Sequence, residues 1–205
     1  MRVAIIDYGI GNRRSIHEAV KKIGYESIIT SDPDKLNSCT KFILPGVGAF
    51  CDGMKNLNEL GLTSVMETLV LKEKRPILAF CLGFQMFAKT SDEFGRTQGL
   101  GWIDAHVKKL QPNSNELRVP HVGWNDTEVI AENVLWDGIP KNTLFYYVHS
   151  FCVDCLDPGI VIARCDYGLQ FAAAIQADNV FGVQFHPEKS QNQGLKLIRN
   201  FIEKA

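Results

Sequence analysis

Apolar positions in the first half of the chain follow two alternating periods. Val3-Ala4-Ile5-Ile6 is a continuous apolar run closed by Asp7, and it predicts a buried strand over Arg2–Asp7. After the turn Tyr8-Gly9-Ile10-Gly11-Asn12, the residues Ile16, Ala19, Val20 and Ile23 recur at helical spacing, and Gly24 supplies a C-terminal stop. Strands are predicted at Tyr25–Thr30, Lys41–Leu44 and Pro76–Phe80. Between them, Met54, Leu57 and Leu60 mark one helical face, and further helices are predicted over Thr63–Lys74 and Leu82–Lys89. The second half changes character. Short strand-like runs dominate at Ala105–Leu110, Arg118–Val122, Leu144–Val148, Ile160–Cys165, Phe171–Gln176 and Val180–Phe185. A final helix over Gln191–Lys204 turns Leu195, Ile198, Phe201 and Ile202 inward. Strand–helix alternation predicts an α/β fold with an open, mostly parallel central sheet covered by helices, and the strand-rich second half adds antiparallel strands to it. There is no internal repeat and no Gly/Ser/Pro-rich linker, so residues 1–205 read as one domain.

Composition narrows the class. A domain of 205 residues can bury roughly 70% of the surface its unfolded chain exposes, enough to be stable without disulfides or a metal. Lys plus Arg number 22 and Asp plus Glu 23, a net charge of −1, which argues against a protein that works on nucleic acid or anionic membrane. The apolar-rich run Pro76–Ala88 is too short to span a bilayer. The N-terminus meets Asp7 too early for a signal peptide, so a cytoplasmic location is expected, with the six cysteines kept as thiols.

Three places carry candidate chemistry. In Ile77-Leu78-Ala79-Phe80-Cys81-Leu82-Gly83-Phe84-Gln85, a strand runs into Cys81 and a helix begins at once. A nucleophile on so sharp a turn needs small residues two places before and after it, and Ala79 and Gly83 stand there. The helix start would favour a thiolate and offer N–H groups to an oxyanion. In Gly182-Val183-Gln184-Phe185-His186-Pro187-Glu188-Lys189-Ser190, a strand ends at a His with a carboxylate two residues on, a spacing at which Glu188 can hold the imidazole in the tautomer a base needs. Both motifs fall at predicted strand C-termini, where open α/β sheets place their sites. The third is Pro45-Gly46-Val47-Gly48, also at a strand end, whose glycines leave backbone N–H groups uncovered. Cys39, Cys51 and Cys165 read as small buried cysteines packed in a sheet, and His17, His106 and His121 as surface or interface histidines. Cys152-Val153-Asp154-Cys155 has zinc-like spacing but lacks a second pair, so no metal and no cofactor are expected.

Taken together, these segments resemble the class I, triad-type glutamine amidotransferases, and among them the glutaminase subunits of imidazole glycerol phosphate synthases. The resemblance spans nearly the whole chain. It rests on the first loop Asp7–Asn12, the Pro45–Gly48 loop, Cys81–Gln85, Pro120-His121-Val122-Gly123-Trp124-Asn125, Tyr147-Val148-His149-Ser150-Phe151 and His186–Ser190. It implies that Cys81 attacks the side-chain amide of L-glutamine and that His186, oriented by Glu188, moves the proton that lets ammonia leave. It also implies an oxyanion hole from Gly46, Val47, Gly48 and Leu82, and a glutamine pocket from Gly48, Gln85, Glu93, Ser150 and Phe151. The ammonia acceptor would sit on a separate TIM-barrel cyclase-type subunit, because this chain has neither a phosphate-binding Gly-x-x-x-x-Gly-Lys motif nor a second domain. Asn12, Arg13, Pro120, Trp124, Tyr146 and Lys189 would face that partner in a heterodimer, with glutaminase turnover weak until the partner is occupied.

Some residues depart from the family pattern. Ala79-Phe80 precedes the nucleophile in place of Gly-Ile, Arg13-Arg14 replaces Leu-Arg, and Leu100-Gly101-Trp102-Ile103 carries a Trp. These resemble a paralogous branch that supplies ammonia for amidation of cell-surface sugars, which is the alternative acceptor. A single-chain cysteine hydrolase or deglycase on a similar sheet and an inactive regulatory subunit are the remaining readings. The His-Pro-Glu run argues against the first and the complete triad against the second.

Overall fold

A computed structural model describes residues 2–114 and 116–205. The first half runs β1 (Val3–Ile6), α1 (Arg13–Lys22), β2 (Ser27–Thr30), α2 (Pro33–Asn37), β3 (Lys41–Leu44), α3 (Phe50–Glu59), α4 (Leu62–Met66, prolonged by a π-helical stretch over Glu67–Lys72), β4 (Ile77–Phe80) and α5 (Leu82–Gln85). The second half runs β5 (Thr90–Ser91), β6 (Thr97–Gln98), β7 (Ala105–Lys109), β8 (His121–Val129), β9 (Asn142–His149), β10 (Phe151–Cys155), β11 (Val161–Asp166), β12 (Gln170–Ala177), β13 (Val180–Val183) and α6 (Gln191–Lys204).

The main sheet has the order β2-β1-β3-β4-β13-β12-β11-β8-β9 among the described residues. Its first five strands are parallel, and antiparallel pairing begins at β13–β12 and continues to the edge strand β9. Within the parallel part, β1, β3, β4 and β13 are buried along their whole length because both faces are covered. Val3 and Ile5 face the α1 and α6 side, where they meet Ile16, Val20, Ile198 and Phe201. Ala4 and Ile6 face the α3 and α4 side, with Met54, Leu57 and Met66. A smaller sheet, β10-β7-β5-β6, is built from the segments that follow α5 and β9.

Several predicted elements shift. The helix expected over Leu82–Lys89 is one turn, Leu82–Gln85. Met86, Phe87 and Ala88 are all fully buried, so that stretch has no polar face to give solvent. Its carbonyls instead accept from the 99–103 loop: Met86 from the Leu100 N–H at 2.8 Å, Phe87 from Trp102 at 2.9 Å, and Ala88 from Gly101 at 3.1 Å. The strand expected over Arg118–Val122 begins only after Pro120 and runs on to Val129, exposing alternate residues on its outer face. A proline lacks the N–H that a ladder needs. Leu60 is not on the buried face of α3; it caps that helix and is 49% exposed. Cys51 is half-buried on α3, and Cys39 is buried in the turn ahead of β3, so of the three cysteines assigned to sheet packing Cys165 alone lies in a strand.

What this architecture does for the site is concentrated where β3 and β4 end. A Cβ on Gly46 would lie 2.1 Å from the backbone nitrogen of Gly83, and one on Gly83 would lie 2.4 Å from the carbonyl oxygen of Leu44. The loop after β3 and the elbow after β4 thus touch backbone to backbone, and neither can yield as a flexible side chain would. Gly46→Ala is expected to lower stability by about 1–3 kcal/mol, the usual range for overpacking, measured as a fall in thermal midpoint. An unchanged midpoint would show that the two loops can separate freely.

Candidate active site

Cys81 joins β4 to α5 with φ 49° and ψ −109°, a conformation that costs a non-glycine residue about 1–3 kcal/mol and persists only where the surroundings enforce it. Its N–H donates to the Val183 carbonyl at 2.8 Å, tying the elbow to β13. The Sγ atom lies 3.8 Å from the Val148 carbonyl oxygen and 3.6 Å from Nε2 of Gln184. Because α5 is a single turn, it offers its first N–H groups but little macrodipole.

His186 follows two residues after Gln184, past the end of β13, and both its side chain and that of Glu188 are almost fully buried. Its Nδ1 and Glu188 Oε1 are 3.0 Å apart. Nε2 makes no hydrogen bond and is free for the reacting centre. Burial opposes charge on this imidazole, but the Cys81 sulfur and the Glu188 carboxylate outweigh it, and the balance raises His186 from 6.5 to about 10. The turn that carries it is fastened to β9. The His186 N–H donates to the Tyr146 carbonyl at 2.9 Å, the Tyr146 N–H donates to Ser190 Oγ at 3.0 Å, and that hydroxyl donates to the His186 carbonyl at 2.7 Å.

A cavity of about 380 Å³ opens over the elbow, lined by Val47, Gly48, Leu82, Gln85, Glu93, Pro120, Val148, His149, Ser150, Phe151 and Lys189 together with Cys81. Every residue expected in the glutamine pocket is there: Gly48, Gln85, Glu93, Ser150 and Phe151. Of the four oxyanion candidates, Val47, Gly48 and Leu82 reach the cavity. Gly46 sits one step behind, pressed on the elbow backbone. Glu93 is held from outside its own loop, since Oε2 accepts the Phe50 N–H that starts α3, at 2.7 Å. Pro120 and Lys189 reach the cavity mouth. Lys189 Nζ stands 5.6 Å above the Tyr146 ring, which meets Trp124 edge-on at 6.1 Å. Trp124 is 44% exposed, so it belongs to the surface and not to the core. Arg13 is engaged by an ion pair with Asp7, and Asn12 accepts from the Ser15 hydroxyl at 2.8 Å.

Sequence reasoning missed four contributors. Val148 and His149 line the cavity, Tyr8 donates to the Pro45 carbonyl at 2.7 Å behind the 46–48 loop, and Gln184 touches the sulfur. A polar residue inside the apolar run Val180–Phe185 was the available signal for Gln184. His121, expected at the surface or an interface, is buried inside the chain. His149 Nδ1 faces the Phe151 carbonyl at 2.9 Å and must donate to it, so its Nε2 is an acceptor, and His121 Nδ1 donates to it at 3.1 Å. Burial pushes His149 down to about 3 and His121 to about 4. Cys152 and Cys155 are thiols on β10, each pushed up to about 11 by burial. Among the described residues no three His, Cys, Asp or Glu side chains are grouped to hold a metal, and no helix is long and apolar enough to cross a membrane.

The family model of class I glutamine amidotransferases matches residues 4–205. The chain belongs to this family. Among curated class I relatives, it is 46% identical to imidazole glycerol phosphate synthase subunit HisH 2 of Methanococcus maripaludis, over 99% of this chain and 100% of that one. It is also 46% identical to subunit HisH 1 of Campylobacter jejuni strain RM1221 over 98% of both chains, and 44% identical to subunit HisH 2 of Vibrio vulnificus over 99% and 94%. Among solved structures, a glutamine amidotransferase superposes with a TM-score of 0.76 at 22% identity, covering 98% of this chain and 97% of that one. A PurLQS structure from Thermotoga maritima superposes with a TM-score of 0.75 at 18% identity over 98% and 97%. These two show the class I amidotransferase fold. Trp102, one of the departures from the family pattern, stacks on Phe87 at 5.0 Å and packs, partly buried, against the core.

The three buried imidazoles set the pH dependence of stability. His186, raised in the folded state, contributes stability that is full below about 6.5 and lost as pH rises toward about 10. His149 and His121, depressed, contribute stability that is full above about 6.5 and lost as pH falls toward their folded values. Each slope is at most about 1.4 kcal/mol per pH unit. Denaturant midpoints should therefore peak near pH 6.5 and fall toward about pH 5 and about pH 9. A midpoint flat across that span would contradict these assignments.

Proposed function

We propose that residues 1–205 form one glutaminase domain, the ammonia-producing subunit of an imidazole glycerol phosphate synthase, which passes ammonia to a separate TIM-barrel cyclase-type subunit. The observation that carries this reading is a cavity lined by the strained Cys81 elbow, with a buried His186 whose Nε2 is unbonded and whose charge the Cys81 sulfur favours. Similarity to the named synthase subunits over almost the full length of both chains supports the choice of acceptor.

The chemistry follows from the geometry. Sγ of Cys81 attacks the side-chain carbonyl carbon of glutamine as the N–H groups of Leu82 and the 47–48 loop stabilise the oxyanion. His186, held by Glu188, gives a proton from Nε2 to the departing nitrogen, and ammonia leaves with a glutamyl thioester behind it. The imidazole, now neutral, takes a proton from water, which attacks the thioester and releases glutamate. Glu93, fixed by the Phe50 N–H, keeps its other oxygen for the substrate ammonium.

The acceptor side is supported by the edge hairpin. Val122, Trp124 and Leu144 are large exposed apolar side chains on β8 and β9, and Val122 and Trp124 pair across the hairpin with Val148 and Tyr146. They continue to Pro120 and Lys189 at the cavity mouth, so a partner seated there would close the cavity and receive the ammonia before water protonates it. Asn12 and Arg13 would complete the docking surface.

With the cyclase-type partner present, Cys81→Ala should reduce glutamine-dependent formation of imidazole glycerol phosphate by at least about a thousandfold. Synthesis from concentrated ammonia at raised pH should survive. Undiminished glutamine-dependent synthesis would overturn the nucleophile assignment. Productive coupling to a sugar-amidating synthase in place of the cyclase would overturn the choice of acceptor.

A further inference from the structure

The nucleophile has a neighbour that the triad does not use. Gln184 is fully buried immediately after β13, two residues before His186, and its Nε2 is 3.6 Å from Cys81 Sγ. Which end of that amide faces the sulfur is settled by its other contacts. Gln85 Nε2 lies 2.9 Å from the Phe151 carbonyl oxygen. A carbonyl oxygen only accepts, so the nitrogen end of Gln85 must face it. The same Nε2 lies 3.2 Å from the Gln184 side chain, which must therefore present its oxygen to Gln85. The NH₂ of Gln184 is then left facing Cys81. Flipping Gln184 alone would set two NH₂ groups against each other, and flipping both would set the oxygen of Gln85 against the Phe151 carbonyl. Donation thus has one arrangement: Gln85, anchored on the Phe151 carbonyl, donates to Gln184, and Gln184 donates to Cys81.

The surroundings of Sγ make that donor consequential. The sulfur's other hydrogen-bond neighbour is the Val148 carbonyl at 3.8 Å, an acceptor that suits the thiol and repels the thiolate, and the His186 imidazole is the cationic group beside it. The one-turn α5 supplies little dipole. An N–H aimed at sulfur from a fully buried amide favours the charged form of the nucleophile, and hydrogen bonds to charged groups are the strong class.

We propose that Gln184 donates an amide N–H to Cys81 Sγ and steadies the negative charge the sulfur carries when it reacts, with Gln85 as the positioning residue that fixes which end of the Gln184 amide points at the sulfur. One consequence concerns the substrate. Both hydrogens of the Gln85 amide are spent inside the protein, so what it offers the cavity is Oε1, an acceptor for an N–H of glutamine. The proposal rests on Cys81 being the nucleophile, and its test separates the two.

The test is the rate of iodoacetamide alkylation of Cys81 as a function of pH, followed by peptide mass spectrometry, in the full chain and in Gln184→Met. The substitution keeps length and burial and removes the donor. The midpoint of the Cys81 profile should move to higher pH by about one unit, while that of the half-buried Cys51 stays put. Glutamine turnover should fall in kcat with little change in KM. A Cys81 profile unchanged in a variant with the same thermal midpoint would overturn the proposal. If alkylating Cys81 in the unmodified chain left glutaminase activity intact, the nucleophile assignment itself would fail. Should Gln184→Met not fold, the side-chain amide proton of Gln184 in the ¹⁵N-labelled unmodified chain decides. It should move downfield as Cys81 titrates, and a resonance indifferent to Cys81 would refute the contact.

Discussion

At the ends of β3 and β4 two backbone segments lie closer together than any side chain at Gly46 or Gly83 would permit. This contact is the constraint on which the rest of the site depends. With the 46–48 loop pressed on the elbow, the chain cannot leave β4 along an ordinary path, and Cys81 takes the positive φ that turns its side chain out of the sheet. The same contact brings the two sources of backbone donors, the loop and the start of α5, to one side of the sulfur. Gly182 extends the pattern to the next strand: a Cβ there would lie 2.2 Å from the Phe84 ring, which packs directly on β13. Strain at the nucleophile is thus offset by close packing in the layers beneath it.

A second set of contacts places His186. The His186 turn is bonded through its backbone and through Ser190 to Tyr146, and Val148, two residues on in β9, puts its carbonyl beside Cys81. β9 is the edge strand of the main sheet, and its outward residues form part of the apolar rim. One strand therefore carries exposed apolar side chains and, through its backbone, touches both Cys81 and the turn that bears His186. A displacement of β9 would therefore change the surroundings of Cys81 and His186 together.

Much of this was legible in the sequence because local rules and the global fold agree. The apolar runs of β1, β3, β4 and β13 read correctly, since strands buried on both faces have no alternation to misplace. Cys81 with Ala79 and Gly83, and His186 with Glu188, announce themselves by spacing. What could not be read depended on long-range contacts. Leu82–Lys89 has helical spacing, but its later carbonyls bond to the 99–103 loop. His121 looked like a surface residue until its stacking on Tyr167, 3.9 Å between ring centroids, and its bond to His149 were visible. Gln184 showed only as a polar residue in an apolar strand, and its meaning required the orientation of Gln85, 99 positions earlier.

The proposed reaction requires Cys81 to act as a nucleophile in the cavity it lines. The most direct measurement is covalent capture: incubate the chain, alone and with its synthase partner, with an electrophilic glutamine analogue and map the adduct by mass spectrometry. One adduct is expected, on Cys81, formed faster with the partner present and prevented by excess glutamine. Labelling at another cysteine, or no labelling with the partner bound, would contradict it.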